Sequence, residues 1–236
     1  MGSSRSERSS SKGNTASTGD TASTGKERTR RTQPRAASLY GSAPDHSRVA
    51  VLLIDVINDM EFPGGKALAA RARSIIPKLA GLRQRARRAK VPVIYANDNF
   101  GRWRSDFSAQ VQHCLRDGVR GRELAEALKP APDDYFVLKP KHSAFYQTCL
   151  ELLLEHLGAT TLILGGVTTD SCVAFTASDA YLRGYALRVL RDGCTAIDAR
   201  HHRAALTHLQ HALHAEVVAT DRVSLRGASA TRRPAP

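Results

Sequence analysis

Several things that would each point to a class of protein are scarce in this sequence. Four cysteines in 236 residues, Cys114, Cys149, Cys172 and Cys194, contain no CxxC pair. That spacing supports neither a disulfide framework nor a cysteine-built zinc site. No apolar run approaches the roughly 20 residues needed to cross a membrane. The first fifteen residues have a basic flavour but no apolar core of the kind a secretory signal needs. These absences predict a cytoplasmic protein with free thiols and no membrane partner.

What is present is enough hydrophobic material, 42% of residues, for one α/β domain with a real core. The formal charge is +13. Residues 1–47 carry eight Lys and Arg against four Asp and Glu, so +4 lies there and +9 beyond. Basic side chains such as Arg83, Arg85, Arg87 and Arg88 either attract nucleic acid or an anionic substrate, or simply decorate solvated helix faces. Residues 1–46 are rich in Ser, Thr, Gly and Arg and contain TASTG twice. Almost nothing there can be buried, so a disordered tail is expected. A second such tail is expected over 226–236, leaving 47–225 as the folded domain.

Within that domain, apolar strands alternate with helical stripes. RVAVLLID, ending at Asp55, is apolar on both faces, as in a parallel sheet covered by helices. Lys66–Lys90 carries a helical stripe, kinked or restarted at Pro77. Val91–Asn97, Tyr135–Leu138, Thr160–Gly166, Tyr185–Leu190 and Val217–Thr220 read as five more strands. Helices are expected over Cys149–Leu157, capped by Gly158, and over Ala199–His214, capped by Asp198, with Ala205, Leu209, Ala212 and Leu213 inward. This alternation predicts a three-layer α/β/α, Rossmann-like domain around a six-stranded, mostly parallel sheet.

The chain is organised around LILGGVTTDSCVAFTASDAYLRG, Leu162–Gly184. A strand ends in a glycine turn, and Cys172 then opens a helical segment. Unpaired amides and the helix dipole favour a thiolate there. The alternative is a small buried thiol in an ordinary βα unit. Asp55 and Lys139 also stand at strand carboxyl ends, the edge where open α/β sheets bind ligands. A thiol, an ammonium to lower its pKa and a carboxylate to carry its proton make a nucleophilic set. Amides of the Gly165–Thr168 turn can serve an oxyanion. Phe62, Trp103 and Phe145 are candidates for an apolar pocket, or for ordinary packing. Asn58, Asn97, Asp98 and Asn99 are candidates to orient substrate or hold Lys139.

LLIDVINDMEFPGG, YANDNFGRWRSDF, VLKPKHSAFYQT and GGVTTDSCVAFTASDAYLRGY, in this order and spacing, resemble the isochorismatase-like cysteine hydrolases. The resemblance spans about Val49–Thr220. It implies Asp55 as general base and acid, Lys139 as electrostatic partner and Cys172 as nucleophile. It implies a cis peptide before Thr168, an oxyanion hole from the Thr168 and Cys172 amides, and a dimer or tetramer. It implies hydrolysis of a small molecule's amide or carbamoyl bond through a thioester. Vinyl-ether hydrolysis of isochorismate is the rival within the family. A non-catalytic binding protein with a nucleic-acid-contacting tail is the rival outside it. Nicotinamidases of the family bind zinc with an Asp and two His near the end of the second strand. Here ANDNFGRWRSDF offers Asp98 without a histidine, so neither a metal nor a cofactor is expected. His113 reads as plain surface, and the cluster His201, His202, His208, His211 and His214 as a solvated helix face.

Overall fold

The computed structural model describes residues 46–116 and 118–226. The tails expected at either end, but for the boundary residues His46 and Arg226, lie outside the described residues. Six parallel strands form one sheet: β1 (Val49–Ile54), β2 (Val93–Asp98), β3 (Tyr135–Lys139), β4 (Thr161–Val167), β5 (Ala186–Thr195) and β6 (Glu216–Val218). Their order is β3-β2-β1-β4-β5-β6.

The alternation of β1 builds the layers. Val49, Val51 and Leu53 point to one face, where they meet α1 (Gly65–Ala72), α2 (Ile76–Arg88) and α4 (Arg122–Ala127) through Leu68, Leu79, Leu82 and Leu124. Ala50, Leu52 and Ile54 point to the other, against α5 (Leu150–Leu157), α6 (Ala174–Leu182) and α7 (Ala199–Ala212) through Leu154, Ala177 and Leu209. Successive residues of a strand face opposite ways, so a strand apolar throughout needs helices on both sides. The result is the α/β/α sandwich. A further short helix, α3 (Phe107–Cys114), packs Phe107 and Cys114 into the first face.

Strand order reverses between β1 and β4. The chain leaves β1 toward β2 through α1 and α2 on one face, and leaves β4 toward β5 through α6 on the other. Crossovers diverging at such a point open a crevice at the strands' carboxyl ends. Asp55 follows β1 and Cys172 follows β4, so both stand at that crevice.

Four local differences from expectation have physical reasons. The long helix divides at Arg73–Ile75, and Pro77 sits in the first turn of α2, where a missing N–H costs nothing. Lys139 is the last residue of β3 rather than the one beyond it. β5 runs on to Thr195 through Arg191, Asp192 and Gly193, and its register against β4 shifts between Leu164 and Gly166. Polar residues and a glycine hid that extension. Ala212 is exposed, because the end of α7 faces a β6 of only three residues. On α2, Arg83 donates to the Tyr95 hydroxyl at 2.9 Å, Arg87 pairs with Asp134 at 3.0 Å, and Arg85 reaches the Val223 carbonyl at 3.3 Å. These arginines tie α2 to neighbouring segments. Among the described residues no helix is long and apolar enough to cross a membrane.

Candidate active site

Three strand ends bring their side chains to one point. Asp55, the first residue after β1, takes a left-handed φ of 51°. Its amide donates to the Ala96 carbonyl at 2.9 Å, and its Oδ1 accepts from the Asp98 amide at 2.7 Å. Its Oδ2 lies 2.9 Å from Lys139 Nζ. β3 is two strands from β1, a gap of roughly 9–10 Å at about 4.8 Å per strand. Lysine's four-carbon stem bridges that gap; a shorter cation at this position would not.

Cys172 arrives by a different route. β4 ends in Gly165-Gly166-Val167, the Val167–Thr168 peptide is cis, and Thr169–Val173 form a π-helical turn before α6 begins. The thiol therefore sits in that turn, one step before the regular helix that periodicity suggested. The Thr168 carbonyl accepts from the Ser171 and Val173 amides at 3.2 and 3.1 Å. Thr169 is fully buried, and its hydroxyl meets His202 Nδ1 of α7 at 2.8 Å. Gly166 has φ 126°, and a Cβ there would overlap the Ile54 carbonyl oxygen. Only glycine lets β4 run this close to the residue preceding Asp55. The outcome is Cys172 Sγ 3.5 Å from Lys139 Nζ, which itself lies 2.9 Å from Asp55 Oδ2, so the three groups share one cluster.

Lys139 Nζ also faces Asp98 Oδ2 at 3.5 Å and the Lys141 carbonyl at 3.2 Å, and is wholly shielded from solvent. Burial alone would pull its pKa down; Asp55, Cys172 and Asp98 outweigh that and raise it, so the ammonium stays charged. Burial pushes the Asp55 carboxyl up, against the pull of Lys139 and the hydrogen bonds it accepts. Burial and the adjacent carboxylate push the Cys172 thiol up to about 12, against Lys139. These influences favour the protonated sulfur, against the thiolate that its place before a helix suggested. The carboxylate that would take its proton is also the charge that opposes its ionisation.

The remaining candidates divide. Asp98 holds the Lys139 ammonium, and the Asn99 amide holds the Lys139 carbonyl at 3.0 Å. Asn58 and Asn97 do neither. Asn58 Oδ1 caps the Met60 amide at 2.7 Å, and Asn97 Nδ2 grips the Ile57 carbonyl at 2.8 Å, so both fix the loop after β1. Phe145 is core, with the Arg183 guanidinium 4.9 Å above its ring. Phe62 packs partly buried against the first face, and Trp103 is 77% exposed.

Three histidines depart from their reading. His113 is not plain surface, since its Nε2 pairs with Asp59 Oδ2 at 2.9 Å. His202 is not on a solvated face but anchors the cysteine turn. His142, given no role by sequence reasoning, has its Nδ1 3.7 Å from Cys172 Sγ and its ring stacked on Phe175. The one available signal was its place three residues after Lys139 at the same sheet edge. His208 and His211 are exposed.

A divalent metal at the end of β2 does not fit these residues. Asp98 Oδ1 accepts from the Phe100 amide at 2.7 Å and its Oδ2 faces an ammonium. Among the described residues no group of three or more His, Cys, Asp or Glu is arranged to hold a metal ion.

Residues 49–222 match the isochorismatase domain. The isochorismatase family protein YaaI of Bacillus subtilis is 36% identical over 174 residues, covering 74% of this chain and 95% of that protein. Ureidoacrylate amidohydrolase of Methylobacterium radiotolerans is 27% identical over 194 residues, covering 71% of this chain and 75% of that enzyme. Among solved structures, a cysteine hydrolase from Pseudomonas syringae superposes with a TM-score of 0.60 at 26% identity, covering 74% of this chain and 89% of that one.

Proposed function

The chain belongs to the isochorismatase family of hydrolases, and from that premise we propose that it cleaves an amide or carbamoyl C–N bond of a small molecule through a thioester on Cys172. One observation carries this reading. A thiol, a carboxyl whose proton affinity is raised by burial, and a fixed ammonium meet within hydrogen-bonding reach in a cluster shut from water on one side. The amidohydrolase among the relatives supports the bond class.

In this reading substrate enters with Cys172 protonated and Asp55 ionised. The thiol proton passes to Asp55 as sulfur attacks the carbonyl carbon, and the Lys139 ammonium balances the charge gathering on sulfur. The carbonyl oxygen becomes an oxyanion, held by the Thr168 and Cys172 amides at about 2.7–4 kcal/mol per donor. Asp55 returns the proton to the departing nitrogen, the C–N bond breaks, and the thioester remains. Asp55, ionised again, takes a proton from water. The resulting hydroxide cleaves the thioester, and sulfur leaves with that proton.

The test is a panel of maleamate, ureidoacrylate, N-carbamoyl amino acids and nicotinamide, followed by ammonia release. Pyruvate release from isochorismate runs alongside. Wild type should turn over at least one amide and carry an acyl mass on the Cys172 peptide. Cys172→Ala should do neither. Full amidase activity in Cys172→Ala overturns the mechanism, and pyruvate release unaffected by that change favours the vinyl-ether rival.

A further inference from the structure

We propose that His142 is a further catalytic residue, the N–H donor that meets the Cys172 sulfur from its open side. This rests on the cysteine-hydrolase reading above.

A thiol has one proton, and in the mechanism above Asp55 is the base that takes it. The lone pairs of the sulfur are left to donors. Lys139 approaches from the buried side but divides three N–H bonds among four acceptors: Asp55, Asp98, the Lys141 carbonyl and Cys172. The ammonium therefore cannot satisfy a full negative charge on sulfur alone. His142 Nδ1 stands 3.7 Å away on the exposed side, facing the sulfur. Once the thiol proton is on Asp55, a ring nitrogen facing the sulfur lone pairs is favourable only as N–H, so this role requires the tautomer with its proton on Nδ1.

The imidazole is held in that attitude. Phe175 stacks on it with ring centroids 5.5 Å apart and planes 25° from parallel. Phe175 follows Cys172 by three residues and His142 follows Lys139 by three. The segments that place the reacting pair thus also place the donor and its support. When the thiol proton moves to Asp55, the Nδ1–H contact becomes charge-assisted and strengthens. In the thioester the sulfur is neutral and the contact weakens again. An interaction strongest while sulfur is charged accelerates the step that charges it.

The test needs no substrate. Iodoacetamide labels the full chain at pH 8, and mass spectrometry follows the Cys172 peptide, normalised to the exposed Cys149 as internal control. His142→Phe keeps an aromatic ring for Phe175 but removes the donor. His142→Asn keeps an N–H near the place of Nδ1. Loss of a hydrogen bond to a charged acceptor predicts Cys172 labelling about tenfold slower in His142→Phe. The Asn variant should stay within about threefold of wild type. His142→Phe labelling at the wild-type rate overturns the proposal, as does His142→Asn labelling as slowly as His142→Phe. Amide turnover by the same preparations separates the two readings. If no amide is cleaved while the labelling pattern holds, the hydrolase reading falls and the sulfur donor stands. If amides are cleaved while labelling ignores residue 142, the reverse is true.

Discussion

The floor and the rim of this site are built on different terms. On the floor, Asp55, Lys139 and Asp98 sit on strand ends. The Lys139 ammonium meets the two carboxylates at 2.9 and 3.5 Å, the Asp98 amide donates to Asp55 at 2.7 Å, and the register of β1, β2 and β3 fixes these separations. On the rim, His142 and Phe175, the latter at 55% exposure, stand on a loop and at a helix start. Positions set by strand register are rigid, whereas a loop and a helix start have more freedom, so the same sulfur is met by a fixed ammonium on one side and by a more adjustable imidazole on the other.

The comparison breaks first, if it is wrong, at Lys139. Lys139→Ala leaves Asp55 buried and unpaired, so unfolding in urea should show a loss of about 3–5 kcal/mol. Asp55→Asn combined with Lys139→Met should be less costly than the two single losses added, because neither change then strands a charge. Additive losses would mean that the floor is not a coupled unit. Gly166→Ala comes next. It forces a side chain into the Ile54 carbonyl at φ 126° and should cost about 2 kcal/mol or more. Normal stability there would sever β4 from the placement of Cys172.

Alkaline pH sharpens the floor. Cys172, Cys114 and Cys194 thiols are each pushed up, largely by burial, from 9.0 to about 12. The folded chain therefore holds these protons more tightly than the unfolded one. That stabilisation is intact below pH 9 and is lost as pH rises from 9 toward 12. The urea midpoint should fall between pH 8.5 and 10.5, and Cys172→Ser should flatten the fall. An unchanged slope would remove Cys172 from the account. The smallest effect belongs to an exposed side chain away from the floor: Trp103→Ala should alter stability by no more than about 0.5 kcal/mol. A larger loss, read by the same urea titration, would make Trp103 part of the framework.

Much of the architecture was legible because it rests on local pattern. Unbroken apolar runs such as VAVLLI mark buried parallel strands, and Pro77 and Gly158 mark helix ends by their own chemistry. The site was legible only where a residue type and a strand end coincided, as at Asp55, Lys139 and Cys172. His142 and His202 escaped because their partners, Cys172 and Thr169, are 30 and 33 residues away in sequence. Asn58 and Asn97 were candidates to orient substrate or hold Lys139 because a polar side chain near a strand end reads the same whether it faces a ligand, a lysine or, as here, a backbone amide or carbonyl.

By itself the sequence determined the alternation of strands and helices, the layering, and which side chains stand at the carboxyl edge, since periodicity and turn chemistry act within a few residues. Tertiary structure alone decided that burial holds the sulfur toward its protonated form, that Lys139 spans two strands to reach Asp55, and that an imidazole faces the thiol. Those outcomes depend on burial and on distances between segments far apart in the chain. Only folding sets both quantities.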